Sequence, residues 1–239
     1  MAKLLVVYYS AYGHVYEMAK AVCAGAAGLE GTEARMVRVP EPIAEGNITA
    51  YLDRDARPGK GGAGTQASGL GERFKLVDRF AKYEAAREAQ KDVPIAALDD
   101  LRWADGIVWG FPTYYGMMPA QMKLFLDFAG ELCAGGELEG KPAGVFTSAG
   151  SIHTGHEAAV LTAIVPLLHF GMLFVGLPYS ENPEYLTADG IGSSPYGPST
   201  LAGPDSSRSP DERELVMAGR LGARVASIAA AVAPLRRQR

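Results

Sequence analysis

Short apolar runs alternate with amphipathic stretches along most of this 239-residue chain. The runs that predict strands are rich in β-forming residues, and they lie at 3–9, 33–39, 106–111, 143–148 and 172–175. The stretches that predict helices repeat apolar residues at helical spacing, and they lie at 15–29, 118–130, 156–169 and 210–233. Strands that alternate with helices predict an α/β fold, a three-layer α/β/α sandwich around a doubly wound five-stranded parallel sheet.

The start of the last helix carries a capping pattern. Ser209 is the predicted cap, Pro210 the first helical residue and Glu212 the third. Serine before a helix accepts free backbone N–H groups, and proline there loses no hydrogen bond. The pattern therefore predicts that this helix begins at Pro210.

Residues 42–97 interrupt the alternation. Residues 59–71 are rich in glycine and predict a flexible loop, whereas 72–91 show helical spacing amid heavy charge. We therefore expect one domain over residues 1–239 with an inserted loop and helix, which either cover the mouth of a site or add a subunit contact. Residues 62–67 match a dinucleotide-binding pattern in letters only, because no strand precedes them.

The chemistry of the N-terminus is the most specific feature. The first strand breaks into a short loop that contains Ser10, Tyr12, Gly13 and His14, and a helix follows at once. Free N–H groups and the helix dipole at such a point attract an anion. The loop lacks the lysine of a Walker A loop and the three glycines of a dinucleotide site. It predicts a neutral cradle for a terminal phosphate, which suits FMN better than a pyrophosphate.

Charge and cysteine content narrow the class of protein. A formal net charge of −4 argues against a broad nucleic-acid surface, since such affinity depends on phosphate neutralisation. Two cysteines, Cys23 and Cys133, make no disulfide framework, as is typical of a reducing compartment. The apolar N-terminus is short for a signal peptide, and no segment reaches about 18 uninterrupted apolar residues. We expect a cytoplasmic protein that neither binds nucleic acid nor inserts into a membrane.

Five motifs in order resemble a known family. They are 10–15, 111–122, 125–127, 168–172 and 194–203, the last with Asp205 and Arg208 behind it. Together they resemble the WrbA (Trp-repressor-binding protein) family of FMN-dependent NAD(P)H:quinone oxidoreductases in the flavodoxin-like superfamily. The resemblance covers all but about residues 42–97. It implies bound FMN, NAD(P)H as reductant, a quinone substrate and a homotetramer.

The resemblance also implies site residues. The cofactor-binding positions are Ser10, Ala11, Tyr12, Gly13, His14, Val15, Pro112, Thr113, Tyr114, Tyr115, Gly116, Ser148, Ala149, Gly150, Ser151, Ile152, His153 and His169. His169 would reach the flavin from a neighbouring subunit, and Tyr12 matches a position that contacts the nicotinamide. Cys133 stands where the family has a tryptophan over the substrate slot, and 151–156 replace a run of glycines. Both departures bear on substrate choice.

Several alternatives stay open. A flavodoxin-type electron carrier would lack a nicotinamide site, although the long segment 178–209 favours an enzyme. A regulatory partner of a transcription repressor and an azo- or nitro-compound reductase are further alternatives. No catalytic side chain and no metal site is expected, because the flavin would carry the chemistry. His153 and His156 have the spacing of metal ligands without an evident third, Cys133 could be a redox thiol, and His169 could be a core residue.

Overall fold

The computed structural model describes residues 1–41 and 79–236, which form one parallel sheet flanked by helices. The strands are β1 (Ala2–Tyr8), β2 (Thr32–Arg38), β3 (Gly106–Pro112), β4 (Pro142–Ala149), β5 (Leu173–Phe174) and β6 (Ser199–Leu201). The α-helices are α1 (His14–Ala27), α2 (Arg79–Ala89), α3 (Leu98–Trp103), α4 (Ala120–Phe128), α5 (Gly130–Ala134), α6 (His156–His169) and α7 (Glu212–Arg236). The predicted α/β class is confirmed.

The sheet order is β2-β1-β3-β4-β5, and every pairing is parallel. The fifth position is shared by two short strands. β5 pairs with the start of β4 at Pro142 and Ala143, and β6 pairs with its end at 147–149. The chain between them, 175–198, is therefore a loop inserted into one strand position.

In the described part of the chain, the sheet has six strands where five were predicted, because β6 was not expected, and α3 was not expected either. The elements that were predicted match the observed ones within a few residues, with two differences. The helix expected over 118–130 is two helices, α4 and α5, which are separated at Ala129. The last helix begins at Glu212, and its cap is Asp211, whose Oδ1 accepts the Arg213 N–H at 2.9 Å. The predicted cap at Ser209 is wrong, because Glu214 Oε2 accepts the Asp211 N–H at 2.8 Å and completes a capping box there.

Part of the predicted insertion lies outside the described residues. This applies to the glycine-rich loop 59–71, to the pattern at 62–67 and to the first residues of the helix expected over 72–91. The described end of that helix is α2.

The sheet buries apolar side chains on both faces. One face packs against α1 and α7, with Leu4, Val6 and Phe146 in that layer. The other face packs Leu5, Val7 and other residues against α4 and α6. This two-sided burial explains why the central strands have nearly continuous apolar sequences.

Helices α1 and α7 touch through their backbones. A Cβ atom on Gly222 would lie 2.0 Å from the Val22 carbonyl oxygen, and one on Gly25 would lie 2.0 Å from the Gly219 carbonyl oxygen. Only glycine fits at such contacts. The crossing therefore fixes α1, and with it the point at which α1 begins, relative to α7.

Within the described ranges, α7 is also the one helix that is long and apolar enough to cross a membrane by length and composition. That test is passed equally by core helices of soluble proteins. Nine of its residues are buried, among them Met217, Leu221 and Val225, which pack against α1 and the sheet. We therefore assign α7 to the core.

The glycine crossing gives a stability prediction. We expect Gly222→Ala to lower the free energy of unfolding by about 1 to 3 kcal/mol, because the added methyl must force the two helices apart. Gly130→Ala is the control, since nothing lies within 4 Å of a Cβ there. Urea unfolding followed by circular dichroism measures both. Equal midpoints for the two variants would contradict the close contact.

Candidate functional site

A cavity of about 250 Å³ lies where four parallel strands end. The last residues of β3 and β4, and residues that follow β1, β3, β4 and β6, line it: Ser10, Ala11, Tyr12, His14, Val15, Pro112, Thr113, Tyr114, Ser148, Ala149, Gly150, Ala202, Gly203, Pro204 and Ser206. The chain runs from β1 to one side of the sheet and from β3 to the other, so β1 and β3 flank the switch point of the fold. Ligands of open α/β sheets bind at this place. No lining residue is acidic.

The loop after β1 presents backbone donors. Gly13 precedes α1 with φ of 90°, a left-handed conformation that glycine adopts without strain. The Ser10 hydroxyl accepts the Tyr16 N–H at 3.2 Å. The N–H groups of His14 and Val15, in the first turn of α1, have no acceptor within the described part of the chain. The N-terminus of α1 therefore offers free donors to an anion.

His14 is buried beside these donors and favours its neutral form. Burial lowers its pKa, the nearby charges of Lys82 and Arg208 lower it further, and a hydrogen bond to the Arg208 backbone opposes the shift. A neutral imidazole at pH 7 adds shape and hydrogen bonding to the cradle. The His14 imidazole therefore adds no positive charge to the site.

The loop after β3 forms a tight turn at the cavity rim. Tyr114 and Met117 exchange two backbone hydrogen bonds of 2.9 and 3.1 Å across Tyr115 and Gly116. Both central residues have positive φ, 54° and 77°, as a type I′ turn requires. The strained Tyr115 is fully exposed, so the turn presents this ring to the outside.

The loop after β4 lies against that turn and then leaves the cavity. Thr113 donates its N–H to the Ser148 carbonyl at 2.8 Å, and a Cβ on Gly155 would lie 3.0 Å from the Gly116 Cα. Residues 151–154 close on themselves, because the Thr154 hydroxyl bonds to the Ser151 backbone. Ser151, Ile152 and His153 are outside the cavity lining.

His156 is buried behind that loop. Its Nδ1 lies 3.1 Å from the Ser199 hydroxyl, and burial lowers its pKa while a hydrogen bond to the Ile152 backbone opposes the shift. His153 is exposed. In the described ranges no three histidine, cysteine or carboxylate side chains form a metal-binding group. His156 therefore ties the 151–155 loop to β6.

The buried carboxylate of Glu214 holds the fourth wall of the cavity. It accepts the N–H of Gly192 at 2.8 Å, the hydroxyl of Thr200 at 2.7 Å and the Arg208 guanidinium at 3.0 Å, and it is 0% exposed. Arg208 also donates to the Leu201 carbonyl. Residues 202–206 lie in the chain between Leu201 and Arg208, which this hydrogen bond joins. The Glu214–Arg208 pair therefore positions them against the loop after β1.

We expect Glu214→Gln to lower the free energy of unfolding by about 3 kcal/mol, because the change leaves the half-buried Arg208 cation with only the more distant Asp211 carboxylate, at 3.9 Å. Glu212→Gln is the control, since it removes the same charge from an exposed position two residues earlier in the same helical turn. Thermal unfolding compares the two. Equal losses would show that Glu214 acts only through the dipole of α7.

Two predicted residues lie together outside this cavity. The Cys133 Sγ lies 3.4 Å from the carbonyl oxygen of His169, to which it donates a hydrogen bond, and both residues are exposed. His169 lines a separate, mainly apolar groove of about 470 Å³ with Met117, Val165 and Pro166. The interpretation of His169 as a core histidine is wrong, because the neighbouring Leu168 and Val165 are 58% and 57% exposed.

The structure thus brings together eleven of the residues expected at the site: Ser10, Ala11, Tyr12, His14, Val15, Pro112, Thr113, Tyr114, Ser148, Ala149 and Gly150. Gly13, Tyr115 and Gly116 belong to the same loops without lining the cavity. Sequence reasoning did not assign Ala202, Gly203, Pro204 and Ser206 to the site. The sequence did contain an indication of these residues, because the motif at 194–203 includes the first two of them.

A doubly wound sheet of this order, with an amide-lined cavity at its switch point, defines the flavodoxin-like class. The WrbA-like flavodoxin of Agrobacterium tumefaciens has the same fold, with a TM-score of 0.60, 20% identity and coverage of 97% of this chain and 99% of that one. The chain belongs to the NADPH-dependent FMN reductase family, whose model matches residues 20–182.

Curated relatives agree along nearly the whole chain. A protein named NAD(P)H dehydrogenase (quinone) from Methanosarcina acetivorans is 41% identical, over 98% of this chain and 99% of its own length. One with the same name from Syntrophobacter fumaroxidans is 38% identical, over 95% and 97%. The resemblance seen in the sequence is confirmed, as are FMN and NAD(P)H at the level of the family.

Proposed function

We propose that this protein is an FMN-dependent oxidoreductase that uses NAD(P)H to reduce quinones by two electrons. The proposal rests on one observation. A cavity that no acidic side chain lines, with the free amides of α1 on one wall, lies at the switch point of a flavodoxin-like sheet. The relatives named NAD(P)H dehydrogenase (quinone) support the activity.

The donor set of the cavity fits a phosphate monoester. It combines the amides at the start of α1 with the hydroxyls of Ser10, Thr113 and Ser148. Helix N-termini bind phosphate without a lysine. The enclosed volume, about 250 Å³, is below the roughly 300 to 1,000 Å³ of typical ligand pockets. It therefore suits part of a mononucleotide and leaves the rest at the protein surface.

Bound FMN supplies the hydride and electron chemistry, and the residues of this chain bind and orient it. Ser10 and the amides of His14 and Val15 would hold the phosphate. Thr113 and Tyr114 would flank the ring system from the loop after β3, and backbone amides near Gly150 would stabilise negative charge that develops there. No side chain has to act as a nucleophile or as a metal ligand.

The proposal predicts that the purified protein carries flavin and that NADH or NADPH alone bleaches its absorption under anaerobic conditions. Benzoquinone should then restore the absorption. Because one exposed flavin face would serve both substrates in turn, we expect ping-pong kinetics. A flavin that neither nicotinamide reduces would identify an electron carrier instead, and sequential kinetics would contradict the shared slot.

We also propose that the protein acts as a homotetramer in the cytoplasm. Exposed apolar side chains on α6 and on the adjoining 114–117 turn support self-association: Tyr115, Met117, Leu161, Val165 and Leu168. Patches of this kind mark interaction surfaces. An assembly would also explain how His169 and Cys133, which lie outside the cavity, could reach a flavin of another subunit. Both cysteines are free thiols, in keeping with a reducing compartment.

Val165→Glu tests the assembly, because it places a charge in the apolar groove. We expect a smaller mass by light scattering and at least tenfold slower quinone reduction, with an unchanged circular dichroism spectrum. Val216→Glu is the control, since Val216 is 41% exposed on α7, outside the groove. If Val165→Glu keeps the mass and turnover of the wild type, this face is not an interface.

A further inference from the structure

Helix α2 of the insertion packs directly on the loop after β1. Ala86 is buried and faces Gly13, where a Cβ would lie 4.0 Å from the Ala86 Cβ, an ordinary van der Waals contact. The Gln90 side chain, 5% exposed, donates to the Ser10 carbonyl at 3.3 Å. Helix α2 and the residue that follows it, Gln90, therefore pack against the loop after β1.

The same helix also reaches the opposite wall of the cavity. Lys82 donates from Nζ to the Asp205 carbonyl at 2.5 Å, and Asp205 stands between Pro204 and Ser206, which both line the cavity. A single helix thus touches the loop after β1 and the loop after β6. Both loops line the same cavity as the first residues of α1.

Lys82 lies just outside the lining and places a positive charge beside this end of the cavity, near Asp205 and His14. Within residues 1–41 and 79–236 no carboxylate oxygen lies at ion-pair distance from its Nζ, and the Asp205 carboxylate interacts with it only from farther away. Arg208, the other cation beside His14, is paired with Glu214 and Asp211. The bond from Lys82 to Asp205 uses one of the three ammonium donors. Lys82 therefore supplies charge that the neutral cradle lacks.

We propose that α2 is a phosphate clamp, in which Lys82 stabilises the phosphate of the bound mononucleotide while Ala86 and Gln90 brace the loop after β1. This inference rests on the proposed function, since it takes that mononucleotide to be FMN. A cation beside a phosphate adds affinity for the phosphate alone and leaves contacts to the ring unchanged. The clamp thus distinguishes FMN from riboflavin.

The test compares the binding of FMN and riboflavin to the full-length protein freed of flavin, by quenching of flavin fluorescence. We expect Lys82→Gln to weaken FMN about 3- to 10-fold and riboflavin less than twofold, with a smaller difference in 1 M salt. Lys82→Arg should restore FMN affinity. Lys91→Gln is the matched control, because Lys91 is exposed beyond the end of α2 and pairs with Glu88.

Each outcome is informative. Unchanged FMN affinity in Lys82→Gln would overturn the clamp. Equal weakening of FMN and riboflavin binding would also overturn it, because that result would mean that Lys82 acts through packing and not through the phosphate. Equal weakening of FMN in Lys91→Gln would attribute the effect to net charge and also overturn it. Failure of the wild-type protein to bind either flavin would refute the proposed function instead. Unchanged urea midpoints ensure that all variants are folded.

Discussion

The backbone contact between α1 and α7 is the constraint on which the cavity depends. Because Gly25 and Gly222 let the two helices touch, α1 is held at a fixed position over the sheet and its first amides lie at the end of β1. Glu214, in the first turn of α7, binds Arg208 and the backbone on either side of β6. Two walls of one cavity thus take their positions from a single helix.

The sequence predicted the layers and the central strands because those strands are buried on both faces and have apolar sequences as a result. It did not predict β6. The residues Ser199, Thr200 and Leu201 have no strand-like pattern, and they pair only because the end of β4 offers free backbone groups. The cap at Ser209 was wrong for a similar reason. Local preference allows either Ser209 or Asp211, and the buried Glu214, which needs donors, selects Asp211.

The candidate site was predictable where one loop carries its own signal. Ser10 to Val15 follow a strand and begin a helix, so their donors could be inferred without a partner. The wall at 202–206 could not be inferred in this way, since its position depends on Arg208 and on a carboxylate further along the chain. The contacts of α2 were likewise beyond the sequence, because Lys82, Ala86 and Gln90 differ little from other residues of a charged helix.

The separation of Cys133 from the cavity bears on substrate choice. The proposed phosphate cradle lies within a single chain, but Cys133 and His169 lie on an exposed apolar face that lacks such donors. If a second copy brings this face to the flavin, cofactor affinity and substrate preference depend on different surfaces. A change at Cys133 then alters the slot without disturbing the loop after β1. On this proposal, the departures from the family that the sequence resemblance implies at 133 and 151–156 would affect the substrate slot and leave residues 10–15 unaffected.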